Sequence, residues 1–459
     1  MVRVFGHWLS AGTLLRLLFD LTLLCLATLA VFWFAWGNQS DATAAFPYAL
    51  LLLHGLVAIC VLFGLYRGGV TQSVFRTPAI GILGLVLAVP MAYGMFSPMP
   101  RPGVWGDPIT LSLLLSLAVM VILRAQFFSG GLTPLLARRV MVVGTGAAAA
   151  SVGQAISQSE KHVSLVGFYP VCADGQTLVA HERILAEGSS LVDAVRTHKV
   201  DQIVVAVQDR RGDAVWLPEL LECRVAGVGV LDLSSYFEQV LGQIRLDSLR
   251  ASWLIFGEGF RQGPVRNVVK RAFDLGAAAM LLMLLWPFMA LGALLIALES
   301  GLPIFYRQER VGQGGRPFQL IKFRSMRTDA ERDGTPRWAT RDDPRITRVG
   351  RILRKLRIDE LPQLYNVLTG DMSLCGPRPE RPFFVTYLTR EIPFYASRHS
   401  VKPGLTGWAQ VCYRYGESVD DAMHKLQYDL YYLKNHTLFL DTVILFKTVG
   451  VVLTGAGAR

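Results

Sequence analysis

KRAFDLGAAAMLLMLLWPFMALGALLIALES, residues 270–300, decides the architecture of this chain. Its apolar run, 272–298, has 27 residues, more than the ~20 a helix needs to cross a hydrocarbon core. Pro287 sits in the middle of it. Proline removes a backbone donor and clashes with the preceding turn, so a kink or break is expected there. Lys270 and Arg271 lie at the start of this stretch, and Arg307, Arg310 and Arg316 follow it. A kinked crossing would put everything after residue 300 on the far side of a bilayer. A re-entrant helix over 270–299, broken at Pro287, would return the chain to the side it came from. Positive charge on both flanks favours the re-entrant form. Irregular backbone at that depth then needs protein or polar cover.

Outward toward the N-terminus, four more apolar runs lie near 13–35, 46–66, 78–97 and 108–125. Each is close to one membrane-spanning length. Arg16 and Asp20 interrupt the first, four apart on one helical face, where they can pair. The first run is followed by more spans and lacks a convincing small-residue cleavage site, so it reads as a span rather than a signal peptide. Arg3, Arg67, Arg76, Arg124, Arg138 and Arg139 fall in alternate loops, while loop 36–45 has no Lys or Arg. Both ends of the bundle are therefore expected in the cytoplasm.

Residues 139–260 read differently. RVMVVGTG (139–146) is an apolar strand running into glycines, followed by an Ala-rich helix. Residues 163–169, 202–207 and 227–231 read as further strands. Strands alternating with helices point to a parallel α/β sheet. Gly144-Thr145-Gly146-Ala147-Ala148-Ala149 is a GxGxxA pattern, but the second strand ends at Tyr169-Pro170 with no acid at the ribose position. A structural or regulatory Rossmann-like domain, rather than a bound dinucleotide, is the favoured reading.

Composition agrees with a membrane protein. Of 459 residues, 52% are apolar and 18% charged, against roughly 25% charged in a soluble domain. Residues 1–260 carry 17 Lys and Arg against 17 Asp and Glu, so the whole net charge of +11 lies in 261–459. Such a block suits anionic lipid or a phosphorylated substrate. Aromatic residues are not interleaved with a basic stripe, which speaks against a nucleic-acid partner. The six cysteines show neither CxxC nor Cys/His ligand spacing. The terminal apolar stretch, 436–453, carries Asp441 and Lys447 and reads as an interfacial helix rather than a span.

The chemistry concentrates in RIDELPQLYNVLTGD (357–371), a short helix with Pro362 in its first turn and Gly370 at its stop. Asp359 and Glu360 then sit at a helix N-terminus, which favours anions and phosphate alike. Around them KFRSM (322–326), DPRITRVGR (343–351), Arg354, GPRP (376–379) and Arg398 to Lys402 place basic residues on loops shaped by glycine and proline. Arginine matches phosphate oxygens two at a time.

KRAFD (270–274), FYRQERVG (305–312), KFRSM, DPRITRVGR, DELPQLYNVLTGDMSLCGPRPE (359–380), VKPGLTGWAQV (401–411) and YDLYYLKN (428–435) together resemble the bacterial sugar transferase family, the polyprenyl-phosphate sugar-1-phosphate transferases. The N-terminal part resembles the large members of that family. DRRG (209–212), LLECR (220–224) and SWLIF (252–256) resemble the exosortase-associated exopolysaccharide subgroup. The resemblance implies an α-helical membrane bundle (1–130), a cytoplasmic Rossmann-like α/β domain (131–262), and a mainly α-helical catalytic domain (263–459) with the re-entrant helix. It places the chain in the bacterial inner membrane, with the catalytic domain cytoplasmic. Asp359 would attack the sugar-bearing phosphate of a UDP-sugar, releasing UMP, and undecaprenyl phosphate would then take the sugar phosphate. Glu360 would help Asp359 hold Mg²⁺, or assist the lipid phosphate. Lys322, Arg324, Arg354, Arg378, Arg398 and Lys402 would bind phosphates. Downstream glycosyltransferases would use the product, and a homo-oligomer is compatible with this reading. Trp286 stands where many small members have Ser before the helix-breaking Pro. An NAD-dependent nucleotide-sugar enzyme and a non-enzymatic export scaffold are the competing readings. The first lacks its ribose acid; the second predicts loss of Asp359, Glu360 or the arginines, and all are present.

Overall fold

The computed structural model describes residues 2–4, 7–9, 22, 138–158, 163–171, 177–185, 190–207, 217–246, 263–328, 330, 343–413 and 418–454. The four apolar runs expected to span the membrane lie outside the described residues, Thr22 apart. So do residues 209–212 and 252–256. The chain divides into two compact units, whose main segments are Trp8–Val240 and Leu241–Arg459.

The first unit holds a four-stranded parallel sheet. Its strands are β1 (Arg138–Val143), β2 (Val163–Tyr169), β3 (Gln202–Val205) and β4 (Gly229–Asp232), in spatial order β2-β1-β3-β4. Helices α1 (Ala147–Gln158), α2 (Leu191–Thr197), α3 (Leu217–Val225) and α4 (Leu233–Leu241) alternate with them. Val140, Met141, Val142 and Val143 of β1 are all buried, as the uninterrupted apolar run of a covered parallel strand requires. Ser190 caps α2 by accepting from the Asp193 amide.

The second unit begins with α5 (Pro264–Ser300), 37 residues long, with Pro264 in its first turn and Gly301 (φ 71°) at its end. At 1.5 Å per residue it is about 55 Å long. It is long and apolar enough to cross a membrane, the one such helix among the described residues. The break expected at Pro287 is not found: α5 runs through Pro287 as one helix. Proline costs the helix one backbone bond there, and the helix packs on the second unit on either side of it. Leu281 and Leu282 lie against the main core before it; Met289, Ala293 and Ile296 lie against Phe323 and Leu353 after it. Asp274, Ala278, Gly292 and Ile296 are buried at helical spacing on this inner face. Met283, Leu284, Trp286, Phe288, Leu291, Leu294 and Leu298 stand exposed.

Both ends of α5 are fastened to the same folded body. Arg271 donates to the carbonyls of Val367 (2.6 Å) and Leu368 (2.8 Å), and the Leu374 amide donates to Asp274. At the far end the amides of Arg348 and Val349 donate to Glu299, at 2.9 and 3.0 Å.

A hairpin follows, β5 (Phe305–Val311) antiparallel to β6 (Pro317–Phe323), with Tyr306 opposite Lys322. Then come α6 (Arg348–Lys355), α7 (Gln363–Thr369), β7 (Ser373–Cys375), α8 (Pro382–Glu391), β8 (Gly404–Thr406), α9 (Trp408–Cys412), α10 (Val419–Asn435) and α11 (Leu438–Thr454). Leu364, Val367, Leu374, Leu430, Tyr431 and Ile444 form the core where α7, β7, α10 and α11 meet. β7 and β8 run parallel, and their loops cross where Gly376 meets Gly404; a Cβ on either would run into the other's backbone. Thr406 and Gly376 share a 2.9 Å backbone bond there.

The charges that suggested an interfacial helix at 436–453 turn into the domain. Asp441 is buried and pairs with Lys270 (2.9 Å) and the Tyr432 hydroxyl (2.7 Å). Lys447 lies over the Trp408 ring, 4.0 Å from its centre.

Candidate active site

Arg348–Lys355 is a helix because Thr347 caps it: its hydroxyl accepts from the Gly350 amide at 2.9 Å, while Glu299 takes the two preceding amides. After Leu356 the chain reverses through Arg357, held in the left-handed region at φ 58°. Ile358–Glu360 then forms a single 3-10 turn, and Leu361 and Pro362 continue with right-handed helical angles into α7. The two acids therefore stand on a separate turn ahead of the helix, with Pro362 at its N-cap rather than inside its first turn. Gly370, at φ 96°, ends α7 as its position in the sequence suggested.

The two acids have different surroundings. Glu360 is committed: Arg378 Nη2 donates to Oε1 at 3.0 Å, and Arg357 Nη1 to Oε2 at 3.4 Å. Burial alone would raise its pKa, but Arg378, Lys322 and Arg357 outweigh that and hold it down at about 2. Asp359 is buried, and its Oδ1 has no hydrogen-bond partner. Burial and the neighbouring Glu360 charge push its pKa up to about 6, against the pull of Lys322, Arg354 and Arg357. Of the pair, Glu360 is the one ionised first, because the charges of Arg378, Lys322 and Arg357 hold it there, with the Arg378 hydrogen bond adding to them. Lys322, on β6, is pushed down to about 8 by burial and by Arg378, with Glu360 and Asp359 pulling the other way.

The six basic residues expected to bind phosphate have different surroundings. The charges of Lys322 and Arg354 act on Asp359, and Arg354 is steadied by a 2.9 Å bond from Nε to the Ser325 hydroxyl. Arg378 is joined to Glu360. Arg324 caps the end of α5 with Nη2, donating to the carbonyls of Ser300 (2.8 Å) and Gly301 (2.6 Å), while its buried Nε and Nη1 have no hydrogen-bond partner. Arg398 is buried in an ion pair with Asp429 (2.8 Å), and it also donates to Tyr395 Oη and to the Arg378 carbonyl. Lys402 has Arg271 and Asp274 as its main electrostatic neighbours, near Gly370 at the end of α7. Arg345 closes on Asp343 two residues away, a local turn.

Arg357 belongs with the acids and was not singled out from the sequence. Its pairing with Glu360 at i,i+3 was readable. Its left-handed backbone was not, because nothing marks an arginine for that region.

Among the described residues, no group of three or more His, Cys, Asp or Glu is arranged to hold a metal ion. Asp359 has a free carboxylate oxygen to offer a cation, while both oxygens of Glu360 are engaged by arginines.

Residues 265–455 match the family model of the bacterial sugar transferases. Over 261 residues the chain is 43% identical to the UDP-N-acetylgalactosamine-undecaprenyl-phosphate N-acetylgalactosaminephosphotransferase of Aeromonas hydrophila, covering 57% of this chain and 61% of that relative. It is 30% identical to the UDP-glucose:undecaprenyl-phosphate glucose-1-phosphate transferase of Xanthomonas campestris pv. campestris, over 98% of this chain and 96% of the relative. The transferase of the same description from Caulobacter vibrioides is 45% identical over 42% of this chain and 74% of its own length.

Proposed function

Because the chain belongs to the bacterial sugar transferase family, we propose that it moves a sugar 1-phosphate from a UDP-sugar to undecaprenyl phosphate and releases UMP. One observation carries the reading: a buried carboxylate, Asp359, keeps an unpartnered oxygen among cations, while its neighbour Glu360 is tied to arginines. That arrangement suits a nucleophile beside a group that positions its surroundings.

In the first step an Asp359 oxygen attacks the sugar-bearing phosphorus. The aspartyl O–P bond forms, the bond to the UMP oxygen breaks, and UMP leaves with that electron pair. In the second step an oxygen of undecaprenyl phosphate attacks the same phosphorus and the Asp359 carboxylate leaves with its electrons. The product is undecaprenyl-diphospho-sugar, a starting unit for exopolysaccharide repeats that downstream glycosyltransferases extend. With its pKa at about 6, Asp359 is largely ionised at pH 7 and needs no separate base.

The difficulty is charge. Two like charges at ~4 Å repel by ~4 kcal/mol at an effective dielectric of ~20. Lys322, Arg354, Arg357 and Arg378 stand against Asp359 and Glu360, leaving the site two positive charges in excess. A diphosphate with about two negative charges neutralises that excess. Glu360 holds Arg357 and Arg378 toward this position. The residues fit Mg²⁺ held by Asp359 together with substrate phosphates and water, where it would draw off phosphate charge as the bond breaks.

The exposed apolar face of α5 supports the membrane as the place of reaction. Both ends of α5 are fastened to one body, so that body cannot lie on both sides of a bilayer. We read the helix as entering the membrane from one side, with the catalytic domain on the cytoplasmic face where UDP-sugars are found. The multi-pass bundle of the first 130 residues is part of the same reading.

The test is UMP release by purified protein from a panel of UDP-sugars, with Mg²⁺ and undecaprenyl phosphate, beside Asp359→Asn. Release with one sugar, lost in the variant, is the expected result. Release that survives Asp359→Asn would remove Asp359 as nucleophile. No release from any sugar by folded protein would refute the reaction.

A further inference from the structure

Gln363 is 3% exposed, and its Nε2 has no hydrogen-bond partner. Native proteins leave few buried donors unused, and such groups collect at catalytic and ligand sites. Its position narrows what the donor is for. Leu361 (φ −57°, ψ −36°) and Pro362 (φ −60°, ψ −19°) join the reaction turn to α7 in a continuous right-handed trace. Gln363 therefore follows Asp359 by four residues, about one turn further along the same right-handed trace. Three residues further on, Asn366 is fixed to β6: it donates to the Gln319 carbonyl (2.8 Å) and accepts from the Ile321 amide (3.1 Å). On the other side, Asp359 lies within the field of Lys322, the next residue of the same strand. Gln363 is bracketed between these two points, over the strand that carries Lys322.

Two unsatisfied buried groups thus lie on adjoining turns: an acceptor, Asp359 Oδ1, and a donor, Gln363 Nε2. A cation can meet the acceptor but not an N–H. The donor needs an oxygen, and the oxygens brought to Asp359 in the proposed reaction belong to the phosphoryl group.

We propose that Gln363 is a substrate contact of this site, its Nε2 donating to a non-bridging oxygen of the phosphoryl group that Asp359 attacks. The inference rests on the phosphotransfer reading above. The amide takes no part in the bonds that form and break. It orients the phosphorus toward Asp359 and takes up charge on its oxygens as UMP departs.

The experiment compares Gln363→Met, of similar volume without a donor, Gln363→Glu and Asp359→Asn in detergent-solubilised full-length protein. UMP release and thermal unfolding are measured on each. Gln363→Met is expected to keep or raise the unfolding temperature, because it removes an unused buried donor. It is expected to lower kcat/KM for the UDP-sugar tenfold or more. Gln363→Glu, which sets a negative charge against the phosphate, is expected to lose more. A Gln363→Met enzyme with unchanged kcat/KM would overturn the proposal. So would a loss of rate accompanied by a matching loss of stability, which is the signature of a packing residue. If Asp359→Asn is inactive while Gln363→Met is normal, this inference alone falls. If Asp359→Asn is active, Asp359 is not the nucleophile and the inference falls with that assignment; if wild type releases no UMP, the phosphotransfer reading itself falls.

Discussion

Arg398→Met separates a phosphate-binding arginine from a structural one. Arg398 and Asp429 are both buried and pair at 2.8 Å. Removing one partner of such a pair leaves an uncompensated buried charge and costs roughly 3–5 kcal/mol. For a unit of this size, where 1 kcal/mol moves the midpoint by about 2–4 °C, the unfolding temperature should fall by about 6–20 °C. The loss should depend on pH, and its sign follows from Asp429. Burial already pushes that carboxyl up to about 6, even with Arg398 beside it. Without Arg398 it rises further, so the variant must take up a proton to fold. Folded protein then binds more protons than unfolded, and stability falls as pH rises. The deficit against wild type should therefore grow from pH 5.5 to pH 8, by up to ~1.4 kcal/mol per pH unit while Asp429 titrates. Arg398→Met/Asp429→Leu should recover most of the stability at both pH values. The assay is thermal unfolding in detergent, with UMP release measured well below the midpoint. An unchanged midpoint with lost activity would refute the structural role and return Arg398 to the substrate. A deficit equal at both pH values would refute the account of Asp429.

Three further outcomes are expected. For free enzyme, kcat/KM should rise with pH through about 6 as Asp359 ionises and fall through about 8 as Lys322 loses its proton. Lys322→Arg should remove the alkaline limb and leave the acid one, and a flat profile from pH 5 to 9 would count against both assignments. Glu299→Ala, which frees the Arg348 and Val349 amides, should cost about 1 kcal/mol by thermal unfolding, and Glu299→Gln less. In a version lacking the first 130 residues, Met283→Lys/Leu294→Lys on the outer face of α5 should shift the protein toward the soluble fraction in a liposome flotation assay. Unchanged flotation of that variant would show that this face does not meet lipid.

Much of the second unit was legible because its signals are local. Gly370 ends α7 where a glycine was needed, and in the first unit the strands at 138–143 and 163–169 follow from the apolar stretches they contain. Asp359, Glu360, Lys322, Arg354 and Arg378 could be picked out by type and setting. The sequence could not show that their neighbours differ from those of Arg324, Arg398 and Lys402, which look the same on the page. Arg324 ends at the last carbonyls of α5, Arg398 on Asp429, and Lys402 beside Arg271. Each assignment depends on a partner far away in the chain.

The same division holds for the membrane helix and for the acids. Sequence alone determined that 272–298 is apolar enough for lipid, that the basic excess follows residue 260, and that two adjacent acids sit among arginines. Those are properties of composition and short-range order. Tertiary structure decided that α5 continues through Pro287, because side chains on both sides of it pack on one body. It also decided that Asp441 and Lys447 face inward and that Glu360 is tied while Asp359 keeps a free oxygen. A charge's work is set by desolvation and by the partners within a few ångströms, and those partners come from segments that only folding brings together.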